Sequence, residues 1–168
     1  MAAQYPNVEF RKISDFNRGI LFRLLADSYS FDPRWQEHFA ADWLAFDHFF
    51  FDNLPIADQC GFITTLNDEP IGHISWDPRN RPEYVQIGHN CITTRCKGNG
   101  YGKMQLQEAI RRIRQNDGIR KIVVTTNDRL IAAQRNYESV GFQLRQRREN
   151  KGDSTFAGVL IDYEMICD

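Results

Sequence analysis

A glycine-rich turn at residues 97–103 is the feature that most constrains how this 168-residue chain can fold. Its sequence is Lys97-Gly98-Asn99-Gly100-Tyr101-Gly102-Lys103, with glycines at alternate positions. Glycines let the backbone turn tightly and leave amide hydrogens uncovered, and the helix predicted to follow adds the unpaired amides and positive dipole of its N-terminus. With a lysine at each end, the turn is predicted to bind an anion, and a diphosphate suits it best.

Two other nucleotide-binding loops fit this spacing poorly. A P-loop requires four residues between its glycines and then Gly-Lys-Ser/Thr, whereas Gly102-Lys103 is followed by Met104, so no hydroxyl is available for magnesium. A dinucleotide-binding fingerprint needs its third glycine at position 103, and no convincing acidic residue ends the next strand. A plain connection between a strand and a helix, without a ligand, is the remaining alternative.

Hydrophobic periodicity places the turn within a series of strands and helices. Before the turn it predicts a strand at 8–10, a helix around 20–25, an aromatic helix between 33 and 52, and strands at 61–66, 71–76 and 84–93. After the turn it predicts a helix ending near Gly118, a strand at 122–124, a helix at 130–139, and strands at 142–148 and 159–165 joined by a turn at 151–154. Gly88 is a candidate bulge. This order predicts a single α/β (α+β) domain over residues 1–168.

Composition narrows the class of protein. The 21 basic and 22 acidic residues give a net charge of −1, which argues against nucleic-acid binding. No apolar run approaches the ~20 residues of a membrane span, and residues 1–10 lack the features of a signal peptide, so we expect a cytoplasmic protein without a membrane partner. The four cysteines lack metal-ligand spacing, so neither a metal site nor a disulfide is expected.

The small net charge conceals two regions of opposite sign. Between residues 31 and 60, six acidic residues face one arginine, and between residues 95 and 121, eight basic residues face two acidic ones. Solvated helix faces would account for both regions. If the regions bind ligands, the first suits a cation and the second suits an anion.

The turn and a downstream segment together resemble a known family. Lys97–Gly102 resembles the (Arg/Gln)-x-x-Gly-x-Gly/Ala pyrophosphate loop of the GCN5-related N-acetyltransferases (GNAT), with Lys97 in place of the usual Arg or Gln. Ala133–Phe142 resembles the second signature of that family, a helix that contains a tyrosine and ends in Gly-Phe. The spacing between the signatures also fits, and the likeness covers about residues 60 to 145.

The resemblance implies a mixed β-sheet, splayed open at its centre and flanked by helices on both faces, with acetyl-CoA as co-substrate in the gap and no metal. It assigns main-chain contacts with the pantetheine arm and the thioester to Cys91, Ile92 and Thr93. It assigns the pyrophosphate to Lys97, Gly98, Asn99, Gly100, Tyr101, Gly102 and Lys103. Asn127 resembles an asparagine that lies near pantetheine in the family.

Acetyl transfer requires an uncharged amine and a proton for the departing CoA sulfur. Tyr137 corresponds to the tyrosine beside the sulfur in similar enzymes and is the candidate acid, although a tyrosine packed in the core would also fit. The position that aligns with the glutamate base of many relatives is Gln86, which is not a base. The substitutes are His89, Glu83 and His73, and release of the amine proton to water is a further alternative.

The resemblance therefore predicts a cytoplasmic N-acetyltransferase that moves the acetyl group from acetyl-CoA to a primary amine by direct attack on the thioester. The alternative is a non-catalytic acyl-CoA-binding sensor or assembly module. The acidic and aromatic segment Asp27–Asp52 is the candidate wall of the acceptor site and suits a cationic amine. Small-molecule amines (polyamines, aminoglycosides, amino acids) and protein amines are all open as acceptors, and a homodimer is considered because relatives often dimerise.

Overall fold

The computed structural model describes residues 6–115, 118–151, 155–156 and 158–167. Within these ranges the strands are β1 Val8–Arg11, β2 Gly61–Leu66, β3 Glu69–Asp77, β4 Val85–Ile92, β5 Lys121–Asn127, β6 Gln143–Glu149 and β7 Val159–Ile166. The α-helices are α1 Ile20–Ser28, α2 Pro33–Asp52, α3 Leu54–Gln59, α4 Tyr101–Arg114 and α5 Ile131–Ser139. Short 3-10 helices lie at Ile13–Asp15 and Thr94–Cys96.

The seven strands form one mixed sheet in the order β1-β2-β3-β4-β5-β7-β6. Neighbouring strands are antiparallel except β4 and β5, which are parallel. These two central strands pair only through Val85 with Ile122 and Gln86 with Val123. Since β4 continues to Ile92 and β5 to Asn127, the two strands separate beyond Gln86. The mixed, centrally splayed sheet predicted from the sequence is therefore confirmed.

Helices cover both faces of the sheet, as predicted. On one face, α1 and α2 bury an apolar stripe together with Ile63 and Cys91. On the other face, α4 and α5 pack against Phe62, Ile74 and Ile87. Because successive side chains of a strand point to opposite faces, β2 and β4 contribute to both cores.

A β-bulge interrupts β4 immediately after its last pair with β5. Trp76 of β3 pairs with Ile87, whereas Ile74 pairs with Asn90, so one extra residue of β4 lies between these pairs. Strict alternation would place His89 on the same face as Ile87. The bulge instead places Asn90 on the α4 side with Ile87, while His89 contacts Phe46 of α2. The bulge predicted at Gly88 is confirmed at this position.

Helix α3 Leu54–Gln59 was not predicted, and the ends of two other elements differ from the prediction by several residues. The helix that follows the glycine-rich turn ends at Arg114 instead of near Gly118. Strand β5 extends through Thr125, Thr126 and Asn127, because these polar residues pair with β7. Most of the turn predicted at 151–154 lies outside the described residues.

Candidate active site

A cavity of about 200 Å³ lies where β4 and β5 separate. Its lining includes a polar wall, which consists of His89 and Asn90 from β4, Thr125–Asn127 from β5 and Tyr137 from α5. It also includes an aromatic wall, formed by Tyr29, Trp35, Phe39 and Phe156. The splay of the sheet thus creates a cavity that brings residues of β4, β5 and α5 together with the aromatic wall.

The glycine-rich turn has the backbone geometry predicted from its sequence. Gly98 and Gly100 adopt positive φ angles of 80° and 84°, and Gly100 is the N-cap residue of α4. No side chain caps this helix N-terminus. The Asn99 amide donates hydrogen bonds to the carbonyls of Cys96 and Lys97, which hold the turn in place. The first amides of α4 are therefore available to an anion.

Lys97 is oriented differently from the prediction. Its ammonium donates a hydrogen bond to the Ser28 carbonyl at the end of α1 and lies 4.9 Å from the centroid of the Phe31 ring. Burial lowers the pKa of Lys97. The side chain thus fastens the turn to α1, and its ammonium is already hydrogen-bonded within the protein.

Tyr137 lies on the polar wall, as its place in the second signature predicted. Its side chain is buried, and its ring packs edge-on against Phe142 at a centroid distance of 5.7 Å. Burial raises the pKa of Tyr137, and the hydrogen bond that it receives from Asn90 offsets part of this rise. The phenol is therefore protonated at neutral pH and has a proton to donate.

Hydrogen bonds between the buried side-chain amides of Gln105 and Asn90 determine whether the Tyr137 hydroxyl donates or accepts. Gln105 of α4 is fully buried, and its Nε2 donates to the main-chain carbonyl of His73 at 2.9 Å and to Asn90 Oδ1 at 2.8 Å. Its Oε1 accepts a hydrogen bond from Thr64 Oγ1 at 2.7 Å. Because a main-chain carbonyl can only accept, the amide group of Gln105 has one permitted orientation.

The orientation of Gln105 determines that of Asn90. Since Asn90 Oδ1 faces the Gln105 donor, Asn90 Nδ2 faces Tyr137 and donates to its Oη at 3.3 Å. The Tyr137 oxygen is thus an acceptor in this network, and its own hydrogen is directed elsewhere. Neither Asn90 nor Gln105 was identified from the sequence, because the bulge shifts Asn90 to the α4 face and Gln105 reads as an ordinary helix residue.

The three candidate bases lie in different environments. His89 lines the cavity, and burial lowers its pKa to about 4, so it is neutral at pH 7. His73 is buried on β3 with Nδ1 bonded to the Phe62 carbonyl, and burial lowers its pKa to about 3. Glu83 is exposed and pairs with Arg120 at 3.0 Å. It lies just before the start of β4, where β4 is still paired with β5. Of the three, the structure brings only His89 to the cavity.

Strand β4 presents alternate main-chain groups to the gap. The Thr93 amide donates to the Ile71 carbonyl at 2.7 Å, and its carbonyl accepts from the Cys96 amide at 3.0 Å. Hydrogen-bonded and non-hydrogen-bonded pairs alternate in antiparallel strands. The main-chain amide and carbonyl of Cys91 therefore also face β3, whereas those of Ile92 face away from it. Of the predicted residues Cys91, Ile92 and Thr93, the structure leaves the main-chain groups of Ile92 directed toward the gap.

Asn127 lies at the end of β5 and lines the cavity, as its predicted role requires. Its Oδ1 accepts a hydrogen bond from the Arg129 amide at 2.9 Å, and its carbonyl accepts from the Leu130 amide at 3.0 Å. These bonds hold the tight connection between β5 and α5. Asn127 is therefore fixed opposite β4 across the gap.

The aromatic wall is a stack of nearly parallel rings. The centroid distances are 4.1 Å for Trp35 and Phe156, 5.1 Å for Tyr29 and Trp35, and 5.8 Å for Trp35 and Phe39. Trp35 and Phe39 belong to the aromatic stripe of α2 that was expected to line the acceptor site. Tyr29 also lies within the segment Asp27–Asp52 that was predicted to form this wall. Phe156 was not identified, because it is an isolated aromatic residue between β6 and β7.

Several acidic residues of the region 31–60 have structural roles. Asp47 is fully buried and accepts hydrogen bonds from the amides of Gly19 and Leu21, so it caps α1 from a distant position. Asp32 pairs with Arg34. Asp52 pairs with Arg18, and Asp58 accepts a hydrogen bond from the Ser14 amide. The segment thus contributes aromatic rings to the cavity, and none of its carboxylates lines the cavity within the described chain.

A model of the acetyltransferase (GNAT) family matches residues 21–142. The chain belongs to the GNAT family. The match spans the glycine-rich turn, the splayed strands and Tyr137, so the features that form the site also identify the family. GNAT proteins are acetyltransferases, and the resemblance inferred from the two signatures is confirmed.

Solved structures share this GNAT fold. A GNAT-family acetyltransferase from Desulfovibrio desulfuricans has a TM-score of 0.73 at 16% identity, covering 96% of this chain and 98% of that chain. An acetyltransferase from Salmonella typhimurium, solved with its cofactor acetyl-CoA, has a TM-score of 0.72 at 16% identity, covering 98% and 95%. The ribosomal-protein-S18-alanine N-acetyltransferase from Escherichia coli has a TM-score of 0.69 at 14% identity, covering 96% and 93%. The comparison with curated proteins yields no significant match.

Within residues 6–115, 118–151, 155–156 and 158–167, no group of three or more His, Cys, Asp or Glu side chains is arranged to hold a metal ion. Over the same ranges, no helix combines the length and the apolar character needed to cross a membrane. Cys60, Cys91 and Cys96 are buried.

Proposed function

We propose that this GNAT protein, acting as one domain, transfers the acetyl group of acetyl-CoA to a primary amine by direct attack of the amine on the thioester. The observation that carries the proposal is the Tyr137 hydroxyl, which lies in the gap of the sheet with its oxygen already accepting a hydrogen bond from Asn90. Acetyl-CoA supplies an activated acyl group as a thioester. The Salmonella relative is described with acetyl-CoA, which supports the same co-substrate here.

The turn and the two strands would share the binding of acetyl-CoA. Backbone amides over residues 98–103 would hold the pyrophosphate at the uncapped N-terminus of α4. The pantetheine arm would enter the gap between Ile92 and Asn127. Cys91 and Thr93 would act by maintaining β4 on β3, and Lys97 by fastening the turn to α1.

Two residues of the polar wall would donate and accept the protons of the reaction. The amine nitrogen forms a bond with the thioester carbonyl carbon, the carbon–sulfur bond breaks, and CoA leaves with the bonding electrons. Tyr137 would donate its proton to that sulfur, because its hydrogen is not committed to Asn90. The resulting phenolate would regain a proton from water. The nitrogen loses one proton, which neutral His89 would accept and pass to water, since a pKa of about 4 prevents the imidazole from retaining it at neutral pH.

His89→Gln tests this role through pH dependence. A histidine base is inactive when protonated, so activity supported by His89 is lost as pH falls through its pKa of about 4 instead of 6.5. Between pH 5 and 8, we therefore expect the kcat profile of the native protein to lack an imidazole limb, and the variant to lose about tenfold in kcat. Steady-state rates over that range measure both quantities. An inflection near pH 6.5 in the native protein that disappears in the variant would contradict the depressed pKa.

Gly100→Val tests the anion site. Gly100 has a φ of +84°, and a branched side chain there would be strained and would project into the space beside the α4 amides. We expect CoA affinity to fall by about tenfold or more, equivalent to roughly 1.4 kcal/mol. Gly118→Val is the matched control, since Gly118 has a φ of +90° with open space around its Cα but follows α4 at its other end. Equal CoA affinity of both variants by calorimetric titration would assign the turn a purely connecting role.

A thiol-release assay separates the proposed enzyme from the alternative of a CoA-binding sensor. Acetyl-CoA is incubated with the protein and a panel of primary amines, and free CoA thiol is measured with time. Thiol release that depends on both protein and amine supports acetyl transfer. Tight CoA binding without release for any amine would favour the sensor.

A further inference from the structure

We propose that the acceptor is a compact arylalkyl monoamine, whose ring packs against the aromatic wall while its amino group lies near His89. This inference rests on the acetyl transfer proposed above and specifies its second substrate. It narrows the cationic amine that the segment Asp27–Asp52 suggested to one class of monoamine.

The shape of the aromatic wall favours a flat apolar group. Trp35, Phe39 and Phe156 lie within 24° of parallel to one another, and Tyr29 lies at 30° to Trp35. Aromatic rings gain stabilisation from offset-stacked or edge contacts beyond the burial of apolar area. An added ring of similar size extends this arrangement, whereas a hydrated sugar or a linear polar chain does not.

The charge of the cavity disfavours a second ionised group on the acceptor. Among the residues that line it, the ionisable side chains are those of Tyr29, His89 and Tyr137. All three are neutral at pH 7, because burial raises the pKa of both tyrosines and lowers that of His89. A charge buried without a partner is costly, so an acceptor with one amine, which reacts in its neutral form, fits this cavity better than a polyamine or an amino acid.

The charged side chains just outside the cavity also favour an acceptor with one amino group. Arg34 and Arg129 each lie over the Phe156 ring, with guanidinium carbons 5.8 and 5.9 Å from its centroid. Asp32 is already paired with Arg34, so its carboxylate is not free to bind a second ammonium group of an acceptor. Asp42 is exposed on α2, and its negative charge acts on His89. One carboxylate near His89 matches an acceptor that arrives with one ammonium group.

The volume of the cavity limits the size of the acceptor. A cavity of about 150 Å³ holds benzene in another protein, and this cavity measures about 200 Å³. Because the thioester end of acetyl-CoA would enter the same cavity beside Tyr137, the space left for the acceptor suits no more than one ring with a short aminoalkyl chain. An aminoglycoside would leave most of its surface outside.

Kinetics with three amines test the inference. Phenethylamine, spermidine and a peptide with a free N-terminus are compared as acceptors by thiol release at saturating acetyl-CoA. We expect kcat/KM for phenethylamine to exceed that for each of the others by about tenfold or more, the range that one apolar contact in a specificity pocket provides. A higher kcat/KM for spermidine or the peptide would overturn the acceptor class and leave acetyl transfer intact.

Phe39→Leu tests the wall itself, with Phe49→Leu as its control on the same helix. Phe39 is half-buried at the cavity, whereas Phe49 is 52% exposed and does not line it. We expect Phe39→Leu to raise KM for phenethylamine about fivefold with unchanged CoA affinity, and Phe49→Leu to resemble the native protein. Equal KM values in both variants would exclude the wall from acceptor binding.

The outcomes also separate this inference from the function on which it rests. If no amine releases thiol, acetyl transfer fails, and the acceptor class is then decided by direct binding. Phenethylamine should change the tryptophan fluorescence of the CoA-saturated protein, and Phe39→Leu should weaken that binding about fivefold. Absence of phenethylamine binding to the native complex would overturn the acceptor class as well.

Discussion

Tyr137→Phe is expected to lower kcat for acetyl transfer about 100-fold, the lower end of what general acid catalysis contributes. The substitution retains the ring and its packing against Phe142 but removes the proton that the departing CoA sulfur requires. A CoA thiolate is already a tolerable leaving group, since thiols have pKa values near 8.5, which is why we expect the lower end. Because Asn90 loses one hydrogen-bond acceptor, unfolding free energy should fall by only about 1 kcal/mol.

Two other tyrosines provide controls for this result. Tyr163 is buried beside Tyr137, and its hydroxyl donates to Glu138 at 2.8 Å, outside the cavity. Tyr163→Phe should therefore retain turnover despite a similar loss of one hydrogen bond. Tyr29 is the other phenol that lines the cavity. If Tyr29→Phe, instead of Tyr137→Phe, caused the loss of kcat, the acid would be Tyr29.

The pH dependence of turnover adds a further test of Tyr137. An acid must be protonated to act, and burial raises the pKa of Tyr137 above its ordinary value of 10. Acid catalysis by this group is therefore fully present at neutral pH and is lost only as pH rises through that elevated value. The ratio of native to Tyr137→Phe rates should be constant between pH 6 and 9. A ratio that falls steadily across this range would assign the decisive proton to another group.

Gln105→Leu is expected to lower the free energy of unfolding by about 3 kcal/mol and kcat by about tenfold. Gln105 is fully buried, and leucine leaves Thr64 Oγ1, Asn90 Oδ1 and the His73 carbonyl without their partner. With Gln105 absent, the Asn90 amide can rotate, and Tyr137 can then donate to Asn90 instead of to the leaving sulfur. Denaturant unfolding measures the first effect and steady-state kinetics measures the second.

The exposed neighbour Gln107 on the same helix provides the matched control, and Gln107→Leu should change neither quantity. Rates are measured well below the unfolding midpoint so that loss of folded protein does not contribute. Asn90→Leu should reproduce the fall in kcat with a smaller loss of stability, because Gln105 keeps its other acceptors. Unchanged kcat in folded Gln105→Leu would restrict Gln105 to a structural role.

Local motifs made part of this site predictable. Glycines at alternate positions before a helix indicated the turn, and Tyr137 was found because it belongs to a segment that ends in Gly141-Phe142. Both signals are contained within about ten consecutive residues, so no knowledge of tertiary contacts was needed. The splay of the sheet was predictable only through the family resemblance, because strand pairing depends on residues distant in sequence.

The parts that sequence reasoning missed depend on contacts between distant segments. Asn90 and Gln105 are polar residues in apolar surroundings, and their roles depend on their hydrogen-bond partners. Gln105 donates to the His73 carbonyl and to Asn90, and Asn90 donates to Tyr137. Lys97 is predicted to lie beside the pyrophosphate, and in the structure its ammonium donates to the Ser28 carbonyl at the end of α1. Asp47 looked like part of an acidic acceptor wall, but it caps α1. In each case the chemistry of the side chain was evident and its partner was not.

The bulge in β4 lies where the strand separates from β5, so the gap is already present in the backbone without a ligand. A bulge bends its strand and increases the local twist, and this one follows directly after Gln86, the last residue of β4 that pairs with β5. A molecule that enters between the strands therefore breaks no strand-to-strand hydrogen bonds. Its binding energy is not consumed by rearrangement, which is the thermodynamic advantage of a preorganised site. One additional residue in β4 thus keeps the two strands apart before binding. A flexible protein would have to separate them each time it binds a ligand.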